Sequence, residues 1–402
     1  MIVRYATALA GLLLAACTEY ADLDPRPTPP LTPAEMSALV PTAEIAVADT
    51  AFARMVARPR EDIEIPATLT LWRGGQAVCA GENVELQIKG NFSAGLPAKA
   101  LGVKFDRAFR NDADDFLRVP RLREGHSLRR IKSFRLRNGG SAFATTLLKD
   151  LAYARMVIAS DLDVLALYGE PAATYVNGAF YSLHNLRTEN NENGVSRLLD
   201  VDEDRLGIVA VDAAEAPLEI KGGEAGFWRK LEGYVDDGDA AAALAAVDAR
   251  SFADFLVAGM VFATQDWPWR NVRMYAVDEG PVRFVLYDFD FAGQAYSNRA
   301  PLAYLDRGPD GFVKRLYELC YRDADFRALL ERRYAEVVDS GQLSDARLRE
   351  ELTSLAAVVD PVIAYQIARY GQPASVAAWY VDLEATVGDY ALRYGRLPST
   401  LE

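Results

Sequence analysis

Alternation of apolar and polar positions dominates the first half of the chain. Residues 67–72, 84–89 and 100–105 place apolar side chains at every second position, as strands do when one face is buried. Residues 133–137 repeat the pattern. At 173–176 and 179–183 two further runs flank Asn177-Gly178, a dipeptide that favours a two-residue hairpin because both positions tolerate positive φ. Between these strands, residues 144–160 carry Leu147, Leu148, Leu151 and Met156 at helical spacing, which predicts a helix inside the strand-rich part.

From about residue 225 the period becomes helical. Ser251-Phe252-Ala253-Asp254 reads as a capping box opening an apolar helix that runs to Thr264 and delivers Asp266 at its end. Residues 312–338, 345–359, 361–370 and 375–394 are amphipathic helices. Inside this half, residues 272–277 and 282–287 read as strands joined by the turn Asp278-Glu279-Gly280-Pro281. The expected fold is α+β, with a strand-rich lobe over 45–190 and a mainly helical lobe over 191–402. Half of the 402 residues are apolar, enough for a large core.

The N-terminus bears on location. Arg4 precedes an apolar run at 6–16 that is too short to span a membrane and fits a secretory signal peptide. It ends in Leu14-Ala15-Ala16-Cys17, which resembles the bacterial lipoprotein box, where the Cys receives diacylglycerol. The alternative is an ordinary signal peptide cut near Ala16. The lipoprotein reading makes 1–17 the signal and Cys17 the lipidation site. Residues 18–44, with Pro25, Pro27, Pro29, Pro30 and Pro33, then form an extended tether. The expected location is outside the cytoplasm, membrane-anchored and facing the periplasm or the cell exterior. There Cys79 and Cys320 could pair. A net charge of −13 argues against nucleic acid as a partner. His126 and His184 are isolated, so no Cys/His metal spacing exists.

Candidate chemistry gathers around the second hairpin. Asp266 precedes Asn271 by five residues, and Tyr287-Asp288-Phe289-Asp290-Phe291 closes the hairpin. A symmetric hairpin pairs residues whose numbers sum to 559, which sets Asn271 opposite Asp288, about 5 Å apart between Cβ atoms. Asp290 falls on the same face, so one divalent cation could be held by all three. Each residue alone is ordinarily structural; their combination after an apolar helix is the signal. Protein kinases use a catalytic Asp, a metal-binding Asn five positions on, and a metal-binding Asp after a short hairpin. No GxGxxG or Walker pattern is present. Instead Gly90, Ser93 and Gly95 would let backbone N–H groups approach an anion, with Lys99 or Lys104 reaching a phosphate. An ordinary hairpin with solvated lysines is the alternative for that stretch.

With these pieces placed, the chain resembles the CotH kinase family. Lys89-Gly90-Asn91-Phe92-Ser93 with Pro97-Ala98-Lys99 is similar to the family's Arg-Gly-Asn-Ser and Pro-Lys-Lys segment. Leu136-Arg137-Asn138 with 147–152, the hairpin Tyr175-Val176-Asn177-Gly178-Ala179-Phe180-Tyr181, and the block 266–291 follow in the family's order. The resemblance implies an atypical protein-kinase-like fold that binds ATP with Mg²⁺ or Mn²⁺ and phosphorylates Ser or Thr of a protein substrate. It assigns Asp266 the catalytic role and Asn271 with Asp288 the metal, Asp290 matching the second Asp of the family's DxD, so that either aspartate is open as the main metal ligand. Lys99, Gly90, Asn91 and Ser93 fall to the nucleotide. Lys89 stands where the family has Arg, and Ala98 where it has the first Lys. Ser182 also intervenes after Tyr181, and Glu189 falls about one position late. The expected function is a surface-anchored protein kinase. The alternative, kept open by the scarcity of free ATP outside the cytoplasm, is a non-catalytic lipoprotein that binds an envelope or matrix partner. The lipid anchor has a direct test: Cys17→Ser should abolish fatty-acid labelling and detergent-phase partitioning, whereas wild-type protein partitioning into the aqueous phase would mean ordinary secretion.

Overall fold

The computed structural model describes residues 28–110, 130–211, 219–222, 226–293, 300–306 and 308–401. Seven strands, β1 (Thr42–Val47), β2 (Glu64–Arg73), β3 (Gln76–Ile88), β4 (Leu101–Arg110), β5 (Arg130–Arg137), β7 (Gly169–Val176) and β8 (Ala179–Arg187), close into a barrel. Neighbours run antiparallel except where β1 meets β7 in parallel and completes the ring. Alternation does here what it predicted. In β2, Ile65, Ala67, Leu69 and Leu71 are buried, while Glu64, Pro66 and Thr68 are exposed. The β7–β8 turn puts Asn177 and Gly178 at φ 50° and 77°.

A second sheet has the order β10-β9-β11-β12-β6: β9 is Leu206–Val211, β10 Glu219–Gly222, β11 Val272–Val277, β12 Arg283–Leu286 and β6 Leu165–Ala166. The helix Ala249–Phe262 lies across it, and every residue from Ser251 to Phe262 is buried. Phe252 and Phe255 stack on Phe284 of β12, ring centroids 4.9 and 4.7 Å apart. The chain is therefore α+β as expected, but the strand-rich part is a closed barrel, and the two parts are not cut cleanly at residue 190. The helix Lys149–Ala159 sends Leu151, Tyr153 and Met156 into the larger, helical core, and β6 belongs to the second sheet.

Four local expectations are corrected. The tether cannot include 28–44. There Thr32 and Glu35 form a capping box on the short helix Pro33–Met36, Met36 and Val40 are buried, and β1 begins at Thr42. The Tyr175 hydroxyl donates to the Leu31 carbonyl at 3.0 Å and the Tyr365 hydroxyl to that of Pro29 at 2.8 Å. Apolar Leu31, Met36 and Val40 among the prolines supply the burial that proline content alone would deny. The signal segment and Cys17 lie outside the described residues. The helix expected over 312–338 breaks into Phe312–Cys320 and Ala324–Ser340, because the Asp323 carboxylate caps the second by accepting from the N–H groups of Asp325 and Phe326. The helix start at Ser251 likewise moves, to a cap formed by Asp248. Cys79 and Cys320 are both free and buried, one in each core, so they do not pair. No helix among the described residues is long and apolar enough to cross a membrane.

His184, on β8, ties the barrel wall to the segment ahead of β4. Its Nε2–H donates to the Lys99 carbonyl at 3.1 Å, so Nδ1 accepts from the Thr174 hydroxyl at 2.8 Å. Burial pushes the imidazole down to about 4, against the opposing effect of the Lys99 hydrogen bond. The unfolded chain protonates it near 6.5, so stability is lost as pH falls from about 6.5 to about 4, by up to about 1.4 kcal/mol per pH unit. Urea midpoints measured across that window should show this slope in wild type and a flatter one in His184→Gln; equal slopes would rule the histidine out as its source.

Candidate active site

The helix Ala249–Phe262 determines where the chemistry sits. It stops at Ala263, which turns into the left-handed region at φ 52°. The chain then folds back on the helix, and the Trp267 ring lies against Gly259, where a Cβ would meet ring carbons at 2.4 Å. With Trp267 buried there, Thr264, Asp266, Arg270 and Asn271 line one cavity. Among the described residues the side chains of Asp266 and Asn271 have no hydrogen-bond or ion-pair partner.

The hairpin register differs from expectation. Arg273 pairs with Val285, Met274 with Phe284 and Tyr275 with Arg283, so paired numbers sum to 558, and the ladder extended would set Asn271 opposite Tyr287. The turn is tighter than assumed: Asp278 and Glu279 both have positive φ, and the Gly280 N–H closes it on the Val277 carbonyl at 2.8 Å. A one-residue slip ordinarily sends a side chain to the other face. Here Asn271 (φ 58°) and Asp288 (φ 66°) lie beyond the ladder in left-handed backbone, which Asn and Asp tolerate better than most residues. Both therefore line the same cavity, together with Asp290.

The two aspartates share one cation. Arg137, the last residue of β5, donates from Nη2 to Asp288 Oδ1 and to Asp290 Oδ2, the latter at 3.1 Å. Asp290 Oδ2 also accepts the Ser141 N–H at 2.9 Å. Gly140 is obligatory beneath it, since a Cβ would lie 2.0 Å from that oxygen. Burial works to raise both carboxyls. For Asp288 the nearby Arg137 outweighs burial and holds it below the ordinary value. Asp290 is raised, by burial and then by the charge of Asp288. Between them Phe289 is buried, edge-on to Phe262, and its N–H donates to Asp150 Oδ1 at 2.8 Å. Asp150, in the first turn of Lys149–Ala159, also pairs with buried Arg187 of β8 and lies 3.5 Å from Arg137 Nε.

The opposite wall is the loop after β3. Lys89, Gly90, Asn91, Phe92 and Ser93 line the cavity, with Arg135 of β5 beside them. Gly90, at φ 99°, leaves room for the Ser93 hydroxyl, which would be 2.0 Å from a Cβ. Lys99 does not reach the cavity. Its Nζ donates to the carbonyls of Ala94 and Leu96 at 2.9 and 2.6 Å and so closes its own loop. Facing a phosphate would require breaking both bonds; among the described residues the basic side chains that line the cavity besides Arg137 are Lys89, Arg270 and Arg135, the last already paired with Glu189. Lys104 pairs with Glu85 on the exposed surface. Sequence reasoning left four residues without a role. Arg137 bridges the aspartates, and Asp150 with Arg187 buttresses them. Asn138 is fully buried; its Nδ2 donates to the carbonyls of Ser93 (3.1 Å) and Ala98 (2.7 Å) while its Oδ1 accepts the Gly140 N–H. Its signal was the Arg137-Asn138-Gly139-Gly140 run, a polar, glycine-rich break directly after a strand.

The cavity measures about 240 Å³. A larger cleft of about 640 Å³ lies beside Ser160–Ala166, but Asp161 and Asp163 in it are already paired with Arg333 and Arg283. Among the described residues no three His, Cys, Asp or Glu side chains gather as a metal cluster. Asp288 and Asp290, with the Arg137 guanidinium resting between them, and Asn271 in the same cavity offer an all-oxygen donor set. That set suits Mg²⁺ or Mn²⁺, which take one or two carboxylates and complete their shell with water and phosphate oxygens.

The family model described as CotH kinase protein matches residues 86–393, which is most of the chain. No curated protein matches the sequence.

Asp150 should be the most sensitive of these positions to substitution. Asp150→Asn strands the buried Arg187 guanidinium and should cost about 3–5 kcal/mol, as breaking a buried pair does. Urea unfolding measures it, and a loss below about 1 kcal/mol would remove Asp150 as the anchor.

Proposed function

Because the chain belongs to the CotH kinase protein family, we propose that it transfers the γ-phosphoryl group of ATP to a Ser or Thr hydroxyl of a protein substrate. The observation that carries this reading is the cavity itself. Asp266, Asn271, Asp288 and Asp290 from the second half of the chain face Lys89 and the Gly90–Ser93 loop from the barrel, across one space. Asp266 orients the acceptor hydroxyl and takes its proton as the acceptor oxygen bonds to the γ-phosphorus and the bond to ADP breaks. Asn271, Asp288 and Asp290 hold the divalent ion, which when bound neutralises charge on the phosphates. Lys89 and Arg270 supply further positive charge, with loop N–H groups beside Lys89. Lipid on Cys17 would hold this activity at a membrane surface.

One observation favours a second, non-catalytic reading: Arg137 already satisfies the two aspartates. Ligand binding separates the two. At a hundred times its dissociation constant, a non-hydrolysable ATP analogue with Mg²⁺ or Mn²⁺ should stabilise the protein by about 2.7 kcal/mol. Asp266→Asn should keep that stabilisation but lower transfer to a Ser/Thr-rich test protein at least tenfold, about 1.4 kcal/mol in activation barrier. No thermal shift with nucleotide and metal would favour the binding role, and unchanged transfer by Asp266→Asn would remove the assignment of the base.

A further inference from the structure

We infer that Arg137 takes the place of one of the two metal ions that protein kinases hold, so that this site accepts a single divalent ion with its nucleotide. The inference rests on the phosphotransferase reading and concerns the composition of that same site. Kinases place two Mg²⁺ ions between acidic ligands and the nucleotide phosphates. Here one guanidinium nitrogen, Arg137 Nη2, bonds both Asp288 and Asp290, the two acids a metal pair would share. Arg137 is also part of the cavity wall, so its charge faces the space where phosphates would lie.

The arrangement is built rather than incidental. Arg137 ends β5, whose register beside β8 is fixed, with Arg137 opposite Asn185. Asp290 is held independently by the Ser141 N–H, above a glycine that permits its approach. Asp150 stands behind the guanidinium, 3.5 Å from Nε. Surrounding charges largely cancel. Arg135 pairs with Glu189 at 2.7 Å, and the nearby Lys149 is attracted by Asp389 as well as by Asp290. Immediately around the bridge stand three carboxylates, Asp150, Asp288 and Asp290, and two guanidinium groups, Arg137 and Arg187, while Asp266, Arg270 and Lys89 line the rest of the cavity. One divalent ion can sit near Asp288 and Asn271, whereas a second would have to displace Arg137 and leave a guanidinium buried without its partners.

The test counts ions. Mn²⁺ is titrated into the protein by electron paramagnetic resonance, with and without a saturating non-hydrolysable ATP analogue, for wild type, Arg137→Gln and Arg137→Lys. Wild type and Arg137→Lys should bind one Mn²⁺ per nucleotide. Arg137→Gln should bind two, or bind Mn²⁺ at least tenfold more tightly without nucleotide. Two ions in wild type would overturn the inference and leave the kinase reading intact, and that count holds whether or not the glutamine variant folds. A folded Arg137→Gln with wild-type count and affinity would also overturn it. No Mn²⁺ bound beside bound analogue would take the kinase reading down with it.

Discussion

A single buried carboxylate, that of Asp150, joins the parts of this molecule that must agree for a site to exist. It sits at the start of the helix Lys149–Ala159, receives the N–H of Phe289 between the two site aspartates, and pairs with Arg187 at the end of β8. Taking such a group out of water costs several kcal/mol, which only well-placed donors offset. Its neighbours leave little freedom to rearrange. Leu147, at φ 63°, gives its carbonyl to the Asn185 side chain, and the Thr146 carbonyl accepts the Trp379 indole N–H. The helix start is thus pinned from the barrel and from the C-terminal helix Val376–Tyr394 at once. Barrel, second sheet and helical core share one electrostatic joint.

The acidic and glycine-rich walls are likewise not independent bodies facing each other across a gap. Arg137, Asn138 and Gly140 follow one another at the end of β5. The first reaches the aspartates, the second holds the Ser93 and Ala98 carbonyls, and the third underlies Asp290. One short stretch of backbone therefore sets the width of the cavity. Lys99 adds to this by spending its charge on the carbonyls of its own loop, so a lysine that resembles a ligand serves as a loop closure.

How much of this was legible follows from the range of the interactions involved. Strands with one buried face and the apolar helix at 249–262 declared themselves through period, because burial acts on every residue along them. The break at Asp323 was readable in principle as a cap, but the apolar period on either side masked it. Barrel closure was not readable, since it depends on β1 meeting β7 about 130 residues away. The acidic residues were grouped by spacing and do line one cavity, although the supposed cross-strand register was off by one and Asn271 and Asp288 take left-handed backbone beyond the ladder. The basic residues were misjudged for the reason that hid Arg137: which lysine or arginine faces a cavity is decided by distant carbonyls and carboxylates, on which local spacing is silent.

The first described residues bear on how the fold would carry a load. The Pro29 and Leu31 carbonyls are bound by Tyr365 and Tyr175, from the helix Ile363–Tyr370 and from β7, before the chain enters β1. β1 is flanked on both sides, by β2 over six residue pairs and by β7 over four. A pull from ahead of residue 28 would run along the strand, nearly at right angles to the antiparallel β1–β2 bonds. Those bonds would be strained in shear and have to yield together rather than unzip one by one. Pulled from its leading end, the molecule would take tension through this ladder before any of it reached the cavity.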